Sequence, residues 1–292
     1  MRKIVGIVAG LLLLVGCSND EKVFEQQGNA EGVKTFTSFT ATLDDVAGTR
    51  AYLDATSSNG QRRVFWEQGD VISVYSDLDT ELKEYTLTSI SEDNQATFTG
   101  EMVTGKRFYA VFAPDSDYSV DANDYNIVHF DSFILYHKDE LTFTGPMVAT
   151  TTGNALVFKQ ATGLIRISVG NIHQLSEVVF ITKNGGAVGM SGNVNMSESQ
   201  PSLKPDGYYS AHYIGGTWLE LDDSKADIYF VIAPTVLENG FSIKFRGLDA
   251  DGNEIEVTKS YNSPFEVKAG TISSFALVDV NSELQAAQDK LA

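Results

Sequence analysis

Val71-Ile-Ser-Val-Tyr75, Tyr85-Thr-Leu-Thr-Ser89 and Ala96-Thr-Phe-Thr99 follow one another closely, and each alternates apolar with polar side chains. Alternation with a period of two puts one face of a strand on a core and the other in water. The pattern extends in both directions. Phe39-Thr-Ala-Thr-Leu43 precedes it; Leu164-Ile-Arg-Ile-Ser-Val169, Val178-Val-Phe-Ile181, Phe241-Ser-Ile-Lys-Phe245 and Glu254-Ile-Glu-Val257 follow. Two runs are continuously apolar, Phe108-Tyr-Ala-Val-Phe-Ala113 and Ile228-Tyr-Phe-Val-Ile-Ala233, and each stops at a proline, Pro114 and Pro234. Such runs predict central strands covered on both faces, because proline cannot donate to a central ladder. Asn184-Gly185 and Asp251-Gly252 predict tight hairpins, since glycine accepts positive φ without strain. No helical periodicity appears before residue 281. Beyond it, Ser282 and Gln285 fit a capping box, and Leu284, Ala287 and Leu291 share one face of a short helix. The expectation is an all-β chain of two similar sandwiches in tandem, joined near Gly145-Pro146 after the polar stretch Asp115 to Glu140, with a short C-terminal helix over 281–292.

Composition agrees with this and removes several functions. The chain has 292 residues, 42% hydrophobic and 21% charged, which is ordinary for a globular protein and long for one domain. Twenty-one basic against 39 acidic residues give a formal charge of −18. A chain so acidic lacks the basic face that nucleic acid or anionic lipid requires. The single cysteine, Cys17, excludes a disulfide framework and a cysteine-rich zinc site.

Cys17 has its own explanation. Arg2 and Lys3 precede an apolar run from Ile4 to Val15, too short for a spanning helix and right for a signal peptide. The run ends in Leu14-Val15-Gly16-Cys17, which resembles a bacterial lipobox. In that reading residues 1–16 are removed and Cys17 is lipidated; the other reading is an ordinary signal peptide with an incidental cysteine. Position, spacing and uniqueness favour lipidation. Loss of Arg2 and Lys3 would leave 19 basic against 39 acidic residues, or −20. Two acyl chains already give stable anchoring. Residues 17–34 are then a polar, glycine-containing tether. Ser18-Asn19-Asp20-Glu21 resembles the signal that sends lipoproteins to the outer face of the outer membrane in gut-type Gram-negative anaerobes; the alternative is plain solvated tether.

No constellation for catalysis or metal binding stands out. His129, His137, His173 and His212 are scattered, and none has a ligand partner at helical spacing. Gly189-Met-Ser191-Gly-Asn193 lacks the final glycine of a nucleophile elbow and reads as a glycine-rich hairpin. In Asp249-Ala-Asp251-Gly-Asn253-Glu254 the glycine comes too early for a calcium loop, so a hairpin turn is favoured. Asp115-Ser-Asp117 and Asp121 to Asp124 read as solvated acidic loops ahead of a weak calcium site. The expectation is no enzyme, no cofactor and no metal. Asp44-Asp-Val-Ala-Gly48-Thr49-Arg50-Ala51 is acidic, small and glycine-containing, hence an exposed loop after a first strand over 36–43.

Several motifs resemble the fimbrillin family. They are Phe39-Thr-Ala-Thr, Thr49-Arg50 and Val64-Phe-Trp66-Glu-Gln-Gly69-Asp70-Val-Ile-Ser-Val-Tyr75. Further along stand Gly145-Pro-Met-Val-Ala149, Leu156-Val-Phe158-Lys, Thr162-Gly163-Leu-Ile-Arg-Ile-Ser168, Tyr229-Phe-Val-Ile-Ala-Pro234 and Ala269-Gly270-Thr-Ile. Each is weak alone; their order and spacing cover the chain from Thr35 to Val280. The resemblance, to Mfa-like or FimA-like lipoprotein precursors of type V pili, implies two transthyretin-like β-sandwich domains. These would span 35–145 and 146–280, without enzyme activity. In that family an Arg-specific protease cuts after an arginine in this region and removes the first strand, which points to Arg50; the other reading is that Thr49-Arg50 is an uncut loop entry. Arg62 and Arg63, beside Asn59-Gly60, form a competing exposed site. The partners implied are other fimbrial subunits and the outer membrane, through the lipid on Cys17. Trp66 reads as an anchor for the turn Glu67 to Asp70; Trp218 is the better candidate for an exposed aromatic, though core packing is favoured there too. Two functional readings follow: a filament subunit, or a non-polymerising surface lipoprotein that binds glycan or host protein as a tip, anchor or stand-alone component. Phe275 to Val280 could serve as a donated strand. The helical, polar segment 281–292 departs from a donor pattern and weighs toward the second reading.

Overall fold

The computed structural model describes residues 32–44, 52–53, 64–114, 116–131, 136–138, 145–170, 174–183, 191–206, 211–220, 225–248 and 251–279. Among these there is no helix, and the chain is all-β as expected. The expected helix over 281–292, the signal peptide and Cys17 lie outside the described residues.

The first half contains β1 (Lys34–Leu43), β2 (Tyr52–Leu53), β3 (Val64–Phe65), β4 (Val71–Ser76), β5 (Lys83–Ile90), β6 (Ala96–Gly105), β7 (Phe108–Phe112), β8 (Tyr118–Val120), β9 (Ile127–Phe130), β10 (Tyr136–Lys138), β11 (Met147–Thr151) and β12 (Ala155–Gln160). Seven of these strands form a closed barrel in the order β1-β12-β11-β7-β4-β5-β6. Closure removes the free sheet edges that would otherwise recruit other chains. β1 completes the ring, antiparallel to β6 on one side and parallel to β12 on the other.

The second half contains β13 (Gly163–Gly170), β14 (Gln174–Thr182), β15 (Gly192–Asn195), β16 (Leu203–Pro205), β17 (Ala211–Glu220), β18 (Lys225–Ile232), β19 (Thr235–Leu237), β20 (Phe241–Leu248), β21 (Glu254–Tyr261), β22 (Phe265–Val267) and β23 (Ile272–Asp279). Two four-stranded sheets, β10-β18-β13-β23 and β17-β14-β20-β21, carry most of it, with a small β19-β22 pair. Gly252, at φ +82°, turns β20 into β21, as the Asp-Gly pair predicts.

Strand pairing does not divide at residue 146. β11 and β12 lie beyond that point yet complete the barrel. Conversely, the polar stretch before it feeds the second half: β10 pairs with β18, and β8-β9 joins β15-β16 in a four-stranded sheet ordered β16-β15-β9-β8. These inserted strands are only three or four residues long, too short for alternation alone to reveal them. The change of sheet at the chain level falls at Ala161-Thr162, between β12 and β13.

The two continuous apolar runs are covered on both faces. In β7, Phe108, Ala110 and Phe112 point into the barrel core, while Tyr109 and Val111 join the core of the second half. In β18, Ile228 through Ile232 are all buried. Hydroxyls mark the seam between the halves. The rings of Tyr75 and Tyr109 stack 4.9 Å apart. The Tyr75 hydroxyl donates to the Tyr125 carbonyl at 2.9 Å, the Tyr109 hydroxyl donates to Asn126 Oδ1 at 3.1 Å, and the Tyr118 hydroxyl donates to Ser73 Oγ at 2.8 Å. Burial raises the Tyr75 phenol far above its ordinary value and pushes Tyr109 up to about 12, the latter against the lowering influence of Arg107.

Candidate functional site

β1 and the seat it occupies form the candidate site. Its inward residues are Phe36, Phe39, Ala41 and Leu43, and the odd step from 36 to 39 needs an explanation. The register with β6 slips between Phe36 and Ser38, a bulge that returns the apolar set to one face. Phe39 and Ala41 are fully buried, and Phe36 and Leu43 pack partly buried against the same core. Aromatic edges hold the strand in place. Phe36 lies 5.0 Å from Phe108, and Phe39 lies 5.4 Å from Tyr85 and 5.6 Å from Phe108 between ring centroids. Pairs of this kind contribute about 0.5–1.5 kcal/mol beyond area burial.

Polar support along β1 is thin. Thr35 and Thr104 share a hydroxyl hydrogen bond of 2.9 Å, and Thr42 Oγ1 donates to the Leu156 carbonyl at 3.4 Å. The Tyr85 hydroxyl donates to the Glu101 carbonyl, with the Phe36 carbonyl also within 3.2 Å. Burial holds the Tyr85 phenol well above its ordinary value. β1 ends at Leu43, and the Asp44 amide donates to the Phe158 carbonyl at 2.9 Å. Arg50, the expected processing site, and Arg62 and Arg63 lie outside the described residues.

Trp66 takes the anchoring role the sequence assigns it. It is 3% exposed and packs edge-on against Phe98, Phe112 and Phe158, at centroid distances of 5.1, 5.3 and 5.5 Å. The turn it holds is closed by the Asp70 amide donating to the Glu67 carbonyl and by the Glu67 amide donating to Asp70 Oδ2. Gly69 sits in that turn at φ +100°, a conformation other residues adopt only under strain. Trp218 lies on β17.

The remaining sequence candidates do not converge. His129 Nδ1 is 3.0 Å from Asn193 Oδ1, and Nε2 is 3.2 Å from Asp131 Oδ1, so its neighbours sit on opposite sides of the ring. His137 lies on β10 and His212 on β17; His173 is outside the described residues. Asp121 accepts from the Asn123 and Asp124 amides and so caps its own turn. Asp124 accepts from the Asn126 backbone and side-chain amides, which lower its carboxyl below the ordinary range. Among the described residues no group of three or more His, Cys, Asp or Glu is arranged to hold a metal ion, and no helix is long and apolar enough to cross a membrane.

No family model matches the chain. No curated protein matches it either. Among solved structures it is similar to a "putative adhesin" from Bacteroides ovatus, at 12% identity and TM-score 0.36, covering 77% of this chain and 75% of that one. A second "putative adhesin" from Bacteroides ovatus matches at 9% identity and TM-score 0.32, covering 85% and 88%. A "putative cell adhesion protein" from Parabacteroides distasonis matches at 9% and 0.30, covering 78% and 84%.

Proposed function

We propose that the chain is a fimbrillin-like surface lipoprotein, a structural or accessory subunit of an adhesive type V pilus, and not an enzyme. In this reading Cys17 is acylated and holds the protein on the outer membrane, and residues 17–34 are the tether. Cleavage after Arg50 frees β1, and a strand from a neighbouring subunit takes its seat. The observation that supports the reading is the position of β1. It is the first strand of the barrel, it closes the ring between β6 and β12, and it is held by a short apolar face with few polar bonds. Its departure would leave β6 and β12 as unpaired edges over an apolar slot that holds Phe98, Phe108, Leu156 and Phe158. Open edges of this kind bind an extended strand by main-chain hydrogen bonds and side-chain pockets.

The test is limited digestion of the mature chain with an Arg-specific protease, followed by mass spectrometry and electron microscopy. Cleavage after Arg50 with release of β1 and appearance of oligomers is the expected result. Cleavage confined to Arg62 or Arg63, or a product that stays monomeric at high concentration, would remove the strand-exchange step. The anchor is tested separately by palmitate labelling: Cys17→Ala should lose the label, and equal incorporation into the variant would refute acylation there.

A further inference from the structure

The barrel interior holds two aromatic groups, and β1 meets them differently. At one end β1 brings its own rings: Phe36 and Phe39 pack edge-on with each other and with Phe108, and Phe39 also with Tyr85. At the other end it brings none. There Trp66 packs against Phe98, Phe112 and Phe158, and the inward residues of β1 are Ala41 and Leu43.

The register puts the indole beneath Ala41. Phe39 is paired with Phe98 on β6, and Leu43 is paired with Phe158 on β12. Trp66 packs on both of those phenylalanines, and Ala41 lies between Phe39 and Leu43 on the same inward face. The partner of Ala41 on β6 is Ala96, and both alanines are fully buried. Two methyl groups side by side leave the volume that the indole takes up. Interiors are packed to nearly crystal density, so a larger side chain at position 41 competes with the indole for that volume.

The indole keeps its place without β1. The Trp66 amide donates to Asn94 Oδ1 at 3.0 Å, in the turn between β5 and β6. The turn that follows Trp66 is closed by Glu67 and Asp70, and its three ring partners stand on β6, β7 and β12. Trp66 also follows Arg50, Arg62 and Arg63 in the sequence, so it stays with the barrel whichever of them is cut.

We infer that Trp66 is the specificity-determining residue of the β1 seat: it admits only a strand with an alanine-sized side chain at the position of Ala41. The inference rests on the strand-exchange reading above and adds to it the chemistry of the partner. The bulge between Phe36 and Ser38 sets the rest of the pattern. An accepted strand carries an apolar residue, a second one three positions on, a small one after two more and an apolar one after a further two, the spacing of Phe36, Phe39, Ala41 and Leu43.

A size swap in the mature full-length chain, with melting followed by circular dichroism, tests the filter before any cleavage. Ala41→Leu should lower the melting temperature by about 5 °C or more, as overpacking does. In a Trp66→Leu background the same change should raise it. Phe36→Leu, in the other aromatic group, should cost the same in both backgrounds. Trp66→Phe with Ala41→Val supplies a gentler swap if Trp66→Leu does not fold. Ala41→Leu costing the same with and without the indole would overturn the inference. After cleavage at Arg50, isotope-labelled peptides of residues 34–43 carry the test to the seat itself, read by native mass spectrometry. The parent peptide should enter in preference to its Ala41→Leu version by roughly tenfold or more, and the order should reverse in the Trp66→Leu chain. Equal entry of the two peptides would also overturn the inference. Reversal in melting with no entry of any peptide would instead remove strand exchange and leave the filter in place.

Discussion

β1 and β13 occupy the same kind of seat in the two halves. Each begins its half, each pairs antiparallel with one neighbour, and each runs parallel to the last long strand of that half, β1 with β12 and β13 with β23. The way they are held is different. β1 has two fully covered residues in ten, whereas β13 has six in eight. Among the described residues, hydroxyl contacts and one exposed lysine, Lys34 Nζ donating to the Thr152 carbonyl at 2.9 Å, supply the polar side-chain bonds of β1, whereas β13 carries a charged clamp. Arg166 Nε and Nη2 donate to Asp227 Oδ2 at 2.9 and 2.5 Å, and Ser168 Oγ donates to Asp227 Oδ1 at 2.5 Å. β13 also follows β12 after only two residues, so it is tied covalently to the barrel it leaves. The comparison teaches that a closing strand can be built in or left separable without changing its topology. Burial depth and one ionic clamp make the difference.

The largest expected effect comes from removing β1 altogether. After cleavage at Arg50, a chain freed of residues 17–50 should lose the cooperative melting of the barrel, and a synthetic peptide of residues 34–43 should restore it; thermal unfolding followed by tryptophan fluorescence reads this through Trp66. A barrel that melts unchanged without β1 would break the comparison at its root. Phe39→Ala should cost about 3–5 kcal/mol in urea unfolding, because the cavity opens in the middle of an aromatic cluster. Arg166→Met should cost about 1.5–3 kcal/mol, leaving the Asp227 carboxylate without its clamp. A cost near zero would mean that β13 is held by burial alone.

The smallest effect is alkaline. An unfolded tyrosine ionises near pH 10, and burial raises Tyr85 and Tyr75 above that. The stability these neutral phenols contribute is therefore complete below about pH 10 and is lost as pH rises toward their folded values. The melting temperature should fall through that window, and Tyr85→Phe should flatten the fall. Since Tyr85 lies against β1, release of the cut strand should also be faster above pH 10 than at pH 8; equal rates would show that the Tyr85 hydroxyl does not help seat it.

Strong alternation made the long strands legible in the sequence. Val71 to Tyr75, Leu164 to Val169 and Phe241 to Phe245 each lie inside an observed strand, and the two proline-terminated runs are doubly covered because each meets apolar groups on both sides. Trp66 was readable because a turn signal, Gly69-Asp70, stood beside it. The exchange of strands between the halves was not readable. Ile127 to Phe130 and Gly192 to Asn195 are four residues each, too short to show a period, and only their pairing with each other gives them a role. The bulge that returns Phe36 to the face of Phe39 leaves no local mark either, since Thr37-Ser38 is ordinary strand composition.

The two parallel pairings also govern the order in which the protein can be made. Thr40 waits for Ala155 and Leu164 waits for Ile272, each more than a hundred residues later. Neither half can close while its last long strand is still behind a membrane or inside a ribosome. The β8-β9 hairpin must in turn remain uncommitted until β15 arrives. Long-range pairing of this kind folds slowly and keeps apolar edges open meanwhile. A chain exported end first would cross as an unfolded thread and lock only after its C-terminal strand emerges, which makes the final residues of β23 the timing element of maturation.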